Sequence, residues 1–99
     1  MRYMAILAAA LFVSGGSQAD ELCDKVASTA REVMKDRQNG VPIDTIMAQI
    51  DKRPGDSSEL MRQMVLTAYE RDRRYSEKSK EREIVEFGNE MYLHCSKLK

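Results

Sequence analysis

The chain holds two cysteines, Cys23 and Cys95, lying 72 positions apart. No other feature restricts the fold as much. A bond between them closes a loop of about 73 residues, worth roughly 4 kcal/mol by chain entropy. It also obliges two distant Cα atoms to approach within about 7 Å. A redox-active pair is the alternative, but that chemistry favours Cys-x-x-Cys spacing, which lowers one thiol pKa. A structural bridge is the better reading if the chain reaches an oxidising compartment.

The first residues predict that it does. Met1-Arg2-Tyr3-Met4 is a short start with one positive charge, and Ala5 to Val13 is an uncharged apolar run. Ser14-Gly15-Gly16 is expected to break the helix, and Ser17-Gln18-Ala19 offers small residues to a signal peptidase. This order reads as a secretory signal over 1–19, cleaved near Ala19, ahead of a disulfide-closed helical domain over 20–99. The run is well short of the roughly 20 residues of a membrane span, so no stable membrane insertion is expected. Asp20-Glu21-Leu22 before Cys23 is a poor lipoprotein site. The expected location is therefore the periplasm or the outside of the cell. The whole chain balances 16 basic against 16 acidic residues. Cleavage would remove only Arg2, so no general attraction to nucleic acid or a membrane surface is expected.

Apolar spacing and punctuation predict four helices. The first covers 21–38, with Asp20 as its cap, Cys23, Val26, Ala30, Val33 and Met34 on one face, and Gly40 and Pro42 past its end. The second, 42–52, starts at Pro42 and carries Ile43, Ile46, Met47 and Ile50. Arg53-Pro54-Gly55 stops it. Asp56-Ser57-Ser58-Glu59 then reads as a capping box, ahead of a broad apolar face from Leu60 to Tyr69. The fourth runs from Ser76 to about 96. Its charged opening, Glu77 to Glu83, is expected in water, and Ile84, Phe87, Gly88, Met91, Tyr92 and Cys95 face inward. The fold class is thus all-α: a small four-helix domain whose first and last helices run antiparallel and are joined by the disulfide.

Several elements carry a resemblance: the early Cys23, Arg37-Gln38-Asn39-Gly40, Ala68-Tyr69-Glu70, and Phe87-Gly88-Asn89-Glu90-Met91-Tyr92-Leu93-His94-Cys95. Over residues 20–96 the chain resembles a group of small exported two-cysteine helical proteins of unknown function from proteobacteria and their phages. The resemblance implies a stand-alone exported helical domain and supplies no activity. A looser similarity runs to the periplasmic acid-stress chaperones, which are also small, helical and held by one disulfide. The chain lacks their tryptophan-containing segment ahead of the first cysteine.

Met61 with Met64, and Met91 with His94, are spaced to share helix faces, and thioether and imidazole groups bind Cu(I). Methionines also fill irregular gaps in small cores, and no metal or other cofactor is expected. The stretch from Glu70 to Glu83 surrounds Tyr75 with six basic residues, among them Arg74, and five acidic ones. A solvated face is the plainer reading of such mixed charge. Arg37 and Gln38 invite a site reading but also suit the capping of a helix end. Tyr69 and Tyr92 are expected half-buried, with ring inside and hydroxyl at the edge.

No catalytic residues emerge. One histidine, no phosphate loop and no carboxylate on a predicted apolar face leave an enzyme unsupported. The expectation is a binding protein engaging another envelope or phage protein, as an inhibitor, accessory or immunity-type partner. Arg37, Gln38, Tyr69, Arg74 and Tyr75 are the candidate contacts. A periplasmic acid-stress chaperone and a Cu(I) carrier are the alternatives.

Overall fold

Residues three and four apart on each predicted helix meet in a single core. The computed structural model describes the backbone of residues 2–53, 55 and 57–98, and the side chains of these from residue 20 onward. Helix α1 spans Arg2–Gln38, α2 Ile43–Lys52, α3 Ser58–Tyr69 and α4 Glu77–Lys97, with no strand among the described residues. Ala30, Val33 and Met34 of α1, Ile46 and Ile50 of α2, Met64, Val65 and Ala68 of α3, and Phe87 of α4 form the buried cluster. The most extensive packing joins α1 to α4, which run antiparallel. Cys23 and Cys95 are bonded, their Cα atoms 5.5 Å apart. The all-α, disulfide-tied arrangement is the one the spacing predicts.

Close approach of α1 and α4 depends on Gly88. A Cβ there would lie 2.7 Å from Arg31 Cγ and 3.3 Å from the Ala27 carbonyl oxygen. Glycine costs a helix about 1 kcal/mol relative to alanine. Here it lets two backbones come together between the disulfide and Phe87.

Three local expectations fail, each for a definable reason. α1 continues through Ser14-Gly15-Gly16: two glycines cost about 2 kcal/mol together, which strong helix formers on either side can offset. Asp20 consequently lies within α1 instead of capping it, and Cys23 is far from its first turn. The box expected ahead of α3 rests on Asp56 and so lies outside what the structure describes. Ser57 makes no side-chain cap, and Glu59 accepts from Gln63 Nε2 at 3.0 Å. Ser58 Oγ accepts from the Gly55 N–H at 2.9 Å, and Pro54 of the preceding stop also lies outside the described residues. On α3, Leu60 and Leu66 are exposed, because only one side of this short helix meets α1 and α2. Finally, Glu83 is buried within the charged opening of α4. It falls one turn before Phe87, on the inward stripe.

Helix punctuation elsewhere follows chain chemistry. Gly40 takes φ +82°, the left-handed geometry that glycine adopts without a Cβ clash. The Gly40 N–H reaches the Arg37 carbonyl at 3.1 Å and the Val41 N–H reaches that of Asp36 at 3.0 Å, closing the orphan carbonyls of α1. Pro42 is extended (ψ 143°) and precedes α2 rather than opening it. Ser76 caps α4 by accepting from the Ser79 N–H at 3.1 Å.

Candidate functional site

The left-handed turn at Gly40 sends the chain away just after Gln38. The last two side chains of α1 therefore face the segment between α3 and α4. Gln38 is fully buried. Its Nε2 donates to the Asp72 carbonyl at 3.1 Å and to Met34 Sδ at 3.4 Å, while its Oε1 accepts from the Arg74 N–H at 2.7 Å. One amide thus serves both a donor and an acceptor of a loop that has no ladder of its own. Arg37 Nε donates to the Arg71 carbonyl at 3.0 Å, and its guanidinium lies 5.3 Å from the centre of the Tyr69 ring. Arg37 does stand in the last turn of α1, as capping expects, but the Gln38 side chain bonds none of the helix's last carbonyls, which overturns its capping role. The backbone of the turn closes the helix, which frees these side chains to hold residues 71–74.

Two ion pairs hold the loop from its other side. Glu83 is 6% exposed and accepts from Arg71 Nη1 and Arg74 Nη2, each at 3.2 Å. Arg71 also pairs with Glu90 and places its guanidinium 5.4 Å from the Phe87 ring centre. The hydrogen bond that Arg71 donates to Glu90 leads the causes that hold its guanidinium above its ordinary pKa. A buried carboxylate is costly unless paired, and two arginines from one loop supply the pairing. Tyr69 is half-buried and donates its hydroxyl to the Val41 carbonyl at 2.7 Å. Burial raises its pKa first, followed by the Asp36 charge, with Arg37 opposing.

All five candidate contacts accordingly meet at one corner. Arg37, Gln38, Tyr69 and Arg74 build the support. Tyr75, at the tip of the same loop, is wholly exposed. Beside it is an open recess of about 760 Å³ lined by Arg37, Asp72, Arg73, Arg74, Tyr75 and Lys80. Glu83 was missed by sequence reasoning. Its position four residues before Phe87, on the same helix face, was the available signal.

The soft-donor candidates divide. Met64, Met91 and His94 line a second groove, of about 610 Å³, beside the disulfide together with Leu22, Val26 and Leu60. Met61 lines a third hollow against α2 instead. Met64 is buried in the core, and His94 is exposed. Most of the surface that lines the groove is apolar, thioethers included, so its chemistry is apolar. Among the described residues no three His, Cys, Asp or Glu side chains gather as metal ligands, and no helix is long and apolar enough to cross a membrane. No family model, curated protein or solved structure matches the chain.

Proposed function

We propose that the chain is a small exported binding protein that engages another envelope or phage protein through the corner bearing Tyr75. The single observation that carries this reading is a fully exposed aromatic on a firmly anchored loop. Tyr75 is wholly in solvent, yet the backbone of Arg71, Asp72 and Arg74 just before it is tied to α1 by Arg37 and Gln38. A loop held this way loses little conformational freedom on association, which favours binding. Tyrosine and arginine are also the residue types that most often dominate interface energy. The order of residues in 1–19 and the disulfide support an extracytoplasmic location, after cleavage near Ala19.

The test is site-specific photo-crosslinking in the exported full chain. A photoreactive residue at Tyr75 should yield one discrete protein adduct, and the same residue at Thr45, exposed on α2, should yield none. Equal labelling from both positions, or none from either, overturns the reading.

One observation favours a second reading. The groove beside the disulfide is apolar, and Leu22, Leu60 and Leu98 on its walls are exposed, as an acid-stress chaperone would require for clients. With 16 acidic residues in the chain, protonation leaves it strongly positive, and self-repulsion would widen such a groove. A dye-binding titration from neutral to acid pH should then reveal new apolar surface. A flat titration eliminates this alternative.

A further inference from the structure

Along the sequence the charges of residues 70–83 are nearly balanced; in the fold they are sorted. Glu83 turns inward and is consumed by Arg71 and Arg74. Glu90 takes the second face of Arg71. What remains on the recess wall is Arg37 and Arg73, with no carboxylate at ion-pair distance among the described residues, and Lys80, loosely paired with Glu77; Arg74 also lines the wall but is held by Glu83, and Asp72 is the one carboxylate in the described lining. From this we infer that the recess receives a carboxylate-rich segment of a partner protein, an inference that rests on the binding reading above and names the chemistry of the partner.

Arg73 is the principal donor. Its guanidinium lies over Gly40, where a Cβ would come within 3.2 Å of Nη2. Its one hydrogen bond there is long, 3.4 Å to the Gln38 carbonyl. Among the described residues neither Arg73 nor Arg37 has a carboxylate within ion-pair distance. A guanidinium presents a planar fork of donors that fits a carboxylate in two parallel hydrogen bonds. Lys80 is only 21% exposed and lies 3.8 Å from Glu77, whose side chain is 90% exposed. A partner's carboxylate can displace so loose a contact.

Size and balance select a peptide segment over other anions. The hollow, about 760 Å³, has room for several side chains and is far larger than one oxyanion. Nucleic acid is bound chiefly through many phosphate contacts and a broad basic surface. This chain has no net charge, and the recess itself contains Asp72. The exposed Tyr75 ring at the rim gives an apolar surface for the aliphatic parts of the segment.

The probe is a fluorescently labelled oligoglutamate peptide, measured by anisotropy against the folded, oxidised protein. It should bind, more weakly as salt rises. Arg73→Glu should weaken binding by about tenfold or more, the scale of a lost close charge pair. Tyr75→Ala should weaken it by about threefold, a modest share of an aromatic contact. Lys78→Glu makes the same charge change at an exposed position on α4 that does not line the recess, and should have less than about a twofold effect. Thermal melts establish that each variant is folded, and Arg73→Gln repeats the test without adding a charge. Three results overturn the inference: no binding by the unaltered protein, equal loss in Arg73→Glu and Lys78→Glu, or stronger competition by an oligothymidylate than by unlabelled oligoglutamate. If the Tyr75 adduct forms while the peptide shows no Arg73-dependent binding, the acidic-segment inference alone falls. Failure of the adduct removes the underlying reading.

Discussion

The antiparallel α1/α4 pair is secured differently at its two ends. At one end a single covalent bond, Cys23–Cys95, joins the helices beside a groove whose walls include the exposed Leu22 and Leu98. At the other end no covalent tie exists. There Gln38, Arg37 and Glu83 hold the 71–74 segment with hydrogen bonds and ion pairs that converge from both helices. The first device acts mainly by restricting the unfolded chain and tolerates almost any surroundings. The second acts only in the folded state, and each member leaves a partner unsatisfied if removed. The covalent end therefore has latitude to expose apolar surface, whereas the polar end is specified residue by residue and displays its charges in fixed positions.

Removing the bond should have the largest effect. The double variant Cys23→Ser/Cys95→Ser is expected to lose about 4 kcal/mol in urea unfolding, the value for a loop of this length. A loss below about 1 kcal/mol would mean that the polar end holds the helix pair by itself.

Next comes Gln38→Ala, expected to cost about 2–3 kcal/mol because it strands a buried amide N–H and a carbonyl of the loop. Urea unfolding measures the loss, and hydrogen exchange should show the Arg74 amide opening while amides near Cys95 stay protected. Uniform acceleration across α4 would erase the distinction between the two ends. Gly40→Ala should cost about 1 kcal/mol, the strain of a Cβ at positive φ. It should also disturb Arg73, so its effect on peptide binding ought to exceed its effect on stability.

The smallest change sharpens the electrostatics of the polar end. Asp36 sits in the last turn of α1, where burial first, and then the Glu32 charge, raises its pKa. The folded state consequently holds this proton more tightly than the unfolded chain does, so stability falls as pH rises through the Asp36 titration. Asp36→Asn is expected to stabilise the protein by about 0.3–0.5 kcal/mol at neutral pH, by removing a negative charge from a helix C-terminus. The gain should vanish as pH falls below that titration. A thermal-melt series across pH checks the sign, and a gain that persists in acid would contradict it.

Much of the framework was legible because its signals are local. Apolar residues at helical spacing place Val33, Met34, Ile46, Ile50, Val65 and Phe87 in the core, and Gly40 with Pro42 marks the end of α1. The failures share a cause. Gly15-Gly16 reads as a break because its neighbours' cooperative helix formation is invisible at two residues. Leu60 and Leu66 read as buried because periodicity reports a face and not how much of it finds a neighbour. Glu83 reads as solvated because its partners, Arg71 and Arg74, reach it only after the chain turns between α3 and α4. The gathering of Arg37, Gln38, Tyr69, Arg74 and Tyr75 at one corner is likewise a product of that turn.

From the residues alone come the helices, most of the positions that turn inward, and the pairing of two cysteines that have no other partners. These follow from backbone geometry, side-chain spacing and arithmetic, which need no knowledge of distant neighbours. Only the tertiary structure decided which charges are consumed and which stay available, because an arginine's partner is whatever carboxylate the packed helices bring within reach. Here, among the described residues, that selection buries Glu83 and leaves Arg73 with no carboxylate at ion-pair distance on the recess it shares with the exposed Tyr75.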